Sequence, residues 1–279
     1  MTNSTTRREA ASPYGEWAGA LESLITYRYL ASRPHLIDRT HADGLMELRP
    51  DLRTSAGAVL GAPLAIAMLD VAGITIDRHW ILALTQIDLA VLEDASNVGE
   101  VFLAGEVIKE ARSQIFTQVR IYDAEDRSRA IGFGTANWSV ITETPSGFTY
   151  PEPGPGIAGM AEVPPLWQAY SGRRRPDGLI EIPCLSPAIG TDRLHHGPML
   201  VITEAVALEA AAQAAGTDEL SIEHLALTIV SPGRVGPFVA TPVFVAAQTD
   251  TVGCRVELRD HGRADRLVAA AFVQLRVSR

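Results

Sequence analysis

The sequence predicts an α+β protein in which two curled antiparallel sheets each wrap a central apolar helix, built from tandem copies joined by a Pro/Gly-rich linker. Three observations predict it: an internal repeat, a nearly all-apolar helix followed by four strand-like segments in each copy, and a proline-dense stretch between the copies.

The repeat opens with Asp43-Gly44-Leu45-Met46-Glu47-Leu48, which recurs as Asp177-Gly178-Leu179-Ile180-Glu181-Ile182, an offset of 134 with four identities in six. The same offset carries Asp70 onto Glu204, each an acid inside an apolar run. Further on the offset is 137: Val98-Gly99 meets Val235-Gly236, Asp123 meets Asp260, and Val140 meets Val277. Three extra residues between Glu204 and Val235 account for the shift.

Each copy begins with a short strand, expected at 45–48 and 179–182, and continues through a loop into a helix. The first helix, 64–74, has Asp70 as its one charged residue. A helix apolar on every side must be surrounded by protein, and five antiparallel strands surround a helix only by curling around it. The remaining strands are expected at 83–92, 100–109, 114–122 and 130–141 in copy one, and at 221–230, 238–248, 253–259 and 267–277 in copy two. Joined edge to edge, the half-shells form a continuous sheet with two central helices. Between them, 144–165 holds six prolines and four glycines, a composition that cannot sustain a helix or a central strand. The expected organisation is a flexible tail at 1–19, domains at 20–143 and 166–279, and a linker at 144–165.

With 24 basic and 33 acidic residues the formal charge is −9, which makes nucleic acid and anionic membrane surfaces poor partners. The longest uncharged apolar stretch, 54–69, is 16 residues, short of the ~20 that a membrane span needs. Arg173-Arg174-Arg175 reads as a solvated turn. Cys184 and Cys254 are too few and too far apart for a disulfide framework or a zinc site. They fit a reducing compartment, and the polar start reads as a cytoplasmic tail. No glycine-rich phosphate loop follows a strand, so no cofactor is expected, and there is no Gly-x-Ser-x-Gly elbow of the α/β-hydrolase kind.

Strand, long apolar helix and four strands, in duplicate, resemble the hotdog fold in its tandem (double) form. The segment Gly57-Ala58-Val59-Leu60-Gly61-Ala62-Pro63-Leu64-Ala65-Ile66-Ala67-Met68-Leu69-Asp70-Val71-Ala72-Gly73 resembles the helix start of phenylacetate-pathway-type acyl-CoA thioesterases. In that family a His-Gly-Gly triplet is followed, nine residues after its His, by a carboxylate. The resemblance implies a hydrolase acting on an acyl-CoA or acyl-carrier-protein thioester. It also implies that the second-glycine amide polarises the carbonyl and that the carboxylate comes from the opposing unit. Counting back from the acids puts the triplet at Gly61-Ala62-Pro63 and at His195-His196-Gly197. Pro63 has no N–H to donate, whereas Gly197 has one.

The acids stand out independently of any family. Asp70 has Ile66, Ala67, Gly73 and Ile74 three and four residues away, and Glu204 has Leu200, Val201, Ala207 and Leu208. A carboxylate without a partner among alkyl groups has its pKa raised or faces a polar cavity, and either makes it a site candidate. The structural alternative is that each acid hydrogen-bonds a backbone amide across the interface. The expected site is one per chain: Asp70 as base or nucleophile, the Gly197 amide on the carbonyl, and His195 or His196 positioning substrate or handling a proton, with Glu204 in a diverged second site. The histidines could instead only cap their helix. They invite a metal reading too, but no third ligand has suitable spacing. Asn137 and Trp138, on the last strand of copy one, are candidates for lining an acyl pocket, against plain core packing for the Trp.

Two other functions remain open. Double-hotdog enoyl-thioester hydratases and dehydratases place an Asp five residues before a His, and Asp192-Arg193-Leu194-His195 is too short for that. A protein that binds an acyl or other hydrophobic ligand without turnover is the third reading. The acyl group, the carrier and association into homo-oligomers are left open by the sequence.

Overall fold

The apolar runs around Asp70 and Glu204 fold as the two long helices of the protein. A computed structural model describes residues 23–77, 79–144 and 163–277. The expected tail at 1–19 and most of the expected linker, 145–162, lie outside the described residues. The first half contains α1 (Ile25–Tyr29), β1 (Arg33–Leu36), β2 (His41–Glu47), α2 (Gly61–Ile76), β3 (Trp80–Val91), β4 (Glu100–Glu110), β5 (Gln114–Asp123) and β6 (Ala130–Glu143). The second contains α3 (Leu166–Ala169), β7 (Arg173–Arg174), β8 (Ile180–Ile182), α4 (His196–Ala215), β9 (Leu220–Ile229), β10 (Phe238–Ala247), β11 (Thr251–Asp260) and β12 (Arg266–Val277).

Among the described residues the strands form one antiparallel sheet in the order β1-β2-β4-β5-β6-β3-β9-β12-β11-β10-β8-β7. The order β2-β4-β5-β6-β3 is mirrored by β9-β12-β11-β10-β8. The halves join where β3 pairs with β9, from Gln86↔Thr228 to Ala90↔His224. The outermost strands β1 and β7 were not expected. Arg173 and Arg174 are exposed as predicted, but as a short edge strand instead of a turn, with Arg174 paired to Glu209 of α4.

Every residue of α2 is buried, the consequence of its lack of a polar face. The helix seats closely because glycines open the sheet beneath it. A Cβ at Gly44 of β2 or Gly105 of β4 would lie 2.7 or 2.9 Å from Val71 side-chain carbons. Helix α4 packs on β10, β11 and β12, and against α2. It runs four residues longer than α2, and this lengthening falls where the repeat offset grows. By length and composition alone α4 could cross a membrane. Its packing on three strands accounts for the same composition.

Candidate active site

Both long helices begin in the same way. Leu60 and His195 are extended N-caps whose amides donate to Leu52 O and Ile189 O, each at 2.9 Å. Pro63 and Pro198 are each the third helical residue, where no intrahelical N–H bond is lost. The structural equivalence is therefore Gly61 with His196 and Ala62 with Gly197. This is one residue out of step with the repeat offset that relates the two acids.

That slip changes the expectation for the second site. Although Pro63 has no N–H, the two residues before it do, and Glu204 accepts from Gly61 N at 2.6 Å and Ala62 N at 3.0 Å. The carboxylate of the second half thus closes the helix start of the first, where free amides and the helix dipole favour negative charge. Glu204 is 2% exposed, and burial pushes its carboxyl up to about 7 against the lowering effect of these two bonds. This is the structural alternative weighed above, an amide contact across the interface.

Asp70 is placed differently. It is one methylene shorter than Glu204, and its Oδ2 accepts from Ser32 Oγ at 2.5 Å while Oδ1 is buried without a partner among the described residues. Among the described residues neither the His196 nor the Gly197 amide has an acceptor outside α4. Beside Asp70 lies a cavity of about 340 Å³, also lined by His195, His196, Trp138, Met199 and Asp77. Burial pushes the Asp70 carboxyl up to about 7, opposed by the Ser32 hydroxyl. It pushes His195 down to about 4, and His196 well below the usual imidazole range with help from His195. Near pH 7 the site therefore combines a partly ionised carboxyl with two neutral imidazoles.

The imidazoles lie 3.9 Å apart between ring centroids, and Thr26 Oγ1 of α1 holds His195 Nδ1 at 3.0 Å. His196 Nε2 is buried with no partner among the described residues. Among the described residues no group of three His, Cys, Asp or Glu side chains is arranged to hold a metal ion.

Gly197 does not line the cavity; it is buried beneath Thr26, so the close approach it permits is that of a side chain from α1. A Cβ there would lie 2.4 Å from Thr26 Oγ1. Gly197→Ala is accordingly expected to destabilise the fold by about 1–3 kcal/mol through overpacking, read as a lowered denaturation midpoint, and Thr26→Ala in the same chain, which removes the Oγ1 and Cγ2 that the new methyl would meet, should recover part of it. Trp138 lines the cavity, with its Nε1 donating to Thr117 Oγ1 at 3.1 Å. Asn137 does not line it, although its neighbours Trp138 and Ser139 both do. Three participants were missed in the sequence. Asp77, seven residues after Asp70, was discoverable from helical spacing, whereas Ser32 and Thr26 reach the site from a segment without repeat or periodicity.

No protein-family model matches the chain, and no curated protein matches it in sequence. Solved structures do. The tesB protein of Mycobacterium avium subs paratuberculosis superposes with a TM-score of 0.60 at 12% identity, covering 96% of this chain and 100% of the other. The acyl-CoA thioesterase II TesB2 of Mycobacterium marinum gives 0.54 at 13% identity over 88% and 95%. A conserved protein of unknown function with a hot dog fold from Alicyclobacillus acidocaldarius gives 0.57 at 10% identity over 91% and 98%. The fold is that of the hotdog proteins, and similar structures include thioesterases.

Proposed function

We propose that the chain is a tandem hotdog thioester hydrolase with one working site, composed of Asp70 from the first half and the start of α4 from the second. The observation that carries this reading is the difference between the two helix starts. At one, Glu204 occupies the amides of Gly61 and Ala62; at the other, no such acceptor is present among the described residues, and His196 lines the cavity that adjoins Asp70. The filled start supports reading the other as suited to an oxygen that carries or develops negative charge.

In the proposed reaction the thioester carbonyl oxygen lies at the His196 amide at the start of α4, which opposes the charge that develops on it. Ionised Asp70, held by Ser32, takes a proton from water as the water oxygen bonds to the carbonyl carbon. Collapse of the tetrahedral intermediate breaks the C–S bond, and the proton held by Asp70 passes to the leaving sulfur, releasing thiol and carboxylic acid; the acid then loses its proton to solvent and Asp70 is again ionised. His196 Nε2 is available to the substrate, and His195 is oriented by Thr26. Glu204 has a structural role in this scheme.

The test is thiol release from a panel of acyl-CoA and acyl-carrier-protein thioesters, with thermal-shift titration by CoA and free acids. Release from at least one acyl series is expected. Ligand stabilisation without release from any member would overturn hydrolysis in favour of binding.

A further inference from the structure

The cavity contains a second acid that this reaction does not use. Asp77 caps the C-terminal end of α2, seven residues beyond Asp70. Seven residues return a helix to nearly the same face, ~10 Å further along its axis. Both acids line the cavity, with Gly73 between them and Leu82, Leu84, Trp138 and Ile141 among the apolar surroundings. Arg193 is the one Lys or Arg among the described lining residues, and Asp192 already holds it at 3.0 Å. Asp70, 3% exposed, retains a buried oxygen without a partner among the described residues. Burial and the charge of Asp70 push the Asp77 carboxyl up to about 8. A bound cation would offset both effects.

We propose that the cavity selects acyl groups with a terminal amino group, Asp77 binding the ammonium while the thioester carbonyl lies beside Asp70. The acyl part of this inference rests on the hydrolase reading; the cation site at Asp77 does not. A carboxylate at the same end of the chain would meet like charge, and an alkyl end would bring no charge to Asp77.

The test compares N-acetylcysteamine thioesters of δ-aminovaleric, valeric and glutaric acids, which share a chain length and end in a positive, neutral and negative group. The amino compound is expected to have a kcat/KM about tenfold above the valeryl compound, the gain of one charge-assisted hydrogen bond, with the glutaryl compound slowest. Asp77→Asn should bring the first two together, and Asp77→Lys should favour glutaryl. Equal rates for the amino and valeryl compounds in the native protein would overturn the proposal. A second arm needs no turnover: n-pentylamine, but not pentanol, should raise the melting temperature of the native protein and lose this effect in Asp77→Asn. Amine stabilisation with no hydrolysis of any thioester would leave the cation site standing and sink the hydrolase reading. Hydrolysis with neither amino preference nor amine stabilisation would sink the cation site alone.

Discussion

Asp70→Asn is expected to lower kcat/KM for thioester hydrolysis by ~10²–10⁴-fold, the usual contribution of a positioned base. Asn nearly preserves the shape of the side chain and can still accept from Ser32 Oγ, so the loss isolates proton transfer. Two accompanying readouts separate this from structural damage. In the native protein kcat/KM should rise with pH through about 7, as the buried carboxyl ionises, and this limb should vanish in the variant. Stability should move the other way. A carboxyl whose folded pKa is raised contributes stability that is full below its unfolded value near 4 and is lost as pH rises through about 7. Asp70→Asn does not titrate, so native and variant melting curves should differ by a constant offset below pH 4. As pH rises to 8 that offset should shift in favour of the variant. An inactive protein that gains relative stability with pH is what removal of a costly functional carboxyl predicts.

Glu204→Ala is expected to do the reverse, costing about 3 kcal/mol of stability because it strips the acceptor from two buried amides at the start of α2. For a chain of this size that is a fall of ~6–12 °C in melting temperature. Glu204→Gln keeps one acceptor oxygen and should lose less, while retaining most of the hydrolysis at temperatures where it is folded. If Glu204→Gln instead matched the activity loss of Asp70→Asn without destabilisation, the second helix start would be catalytic and the assignment of one site per chain would fail.

How much of this was legible depended on how local the cause was. Helix α2 was visible because sixteen consecutive residues with a single acid leave no face for water, and the principal strands fell near their expected limits because alternation reports burial directly. Asp70 stood out because its helical neighbours offer it no counter-ion. The one-residue slip between the helix starts was hidden, since the repeat register follows the acids while Pro63 and Pro198 mark the helix ends. For that reason Gly61 and Ala62 were overlooked as donors to Glu204. The contacts of Ser32 with Asp70 and of Thr26 with His195 span 38 and 169 positions, and the five residues of α1 carry no periodic signal. Adjacency to Trp138 does not bring Asn137 into the cavity, although Ser139 on the other side of the Trp lines it.

The most direct test is a crystal structure with a non-hydrolysable thioester analogue in which a methylene replaces the sulfur. The analogue's carbonyl oxygen is expected within hydrogen-bond reach of the His196 amide, with the Asp70 carboxylate across the carbonyl carbon and Glu204 still bound to Gly61 and Ala62. An analogue seated on the Gly61–Ala62 amides with Glu204 displaced, or one whose carbonyl lies out of reach of Asp70, would contradict it.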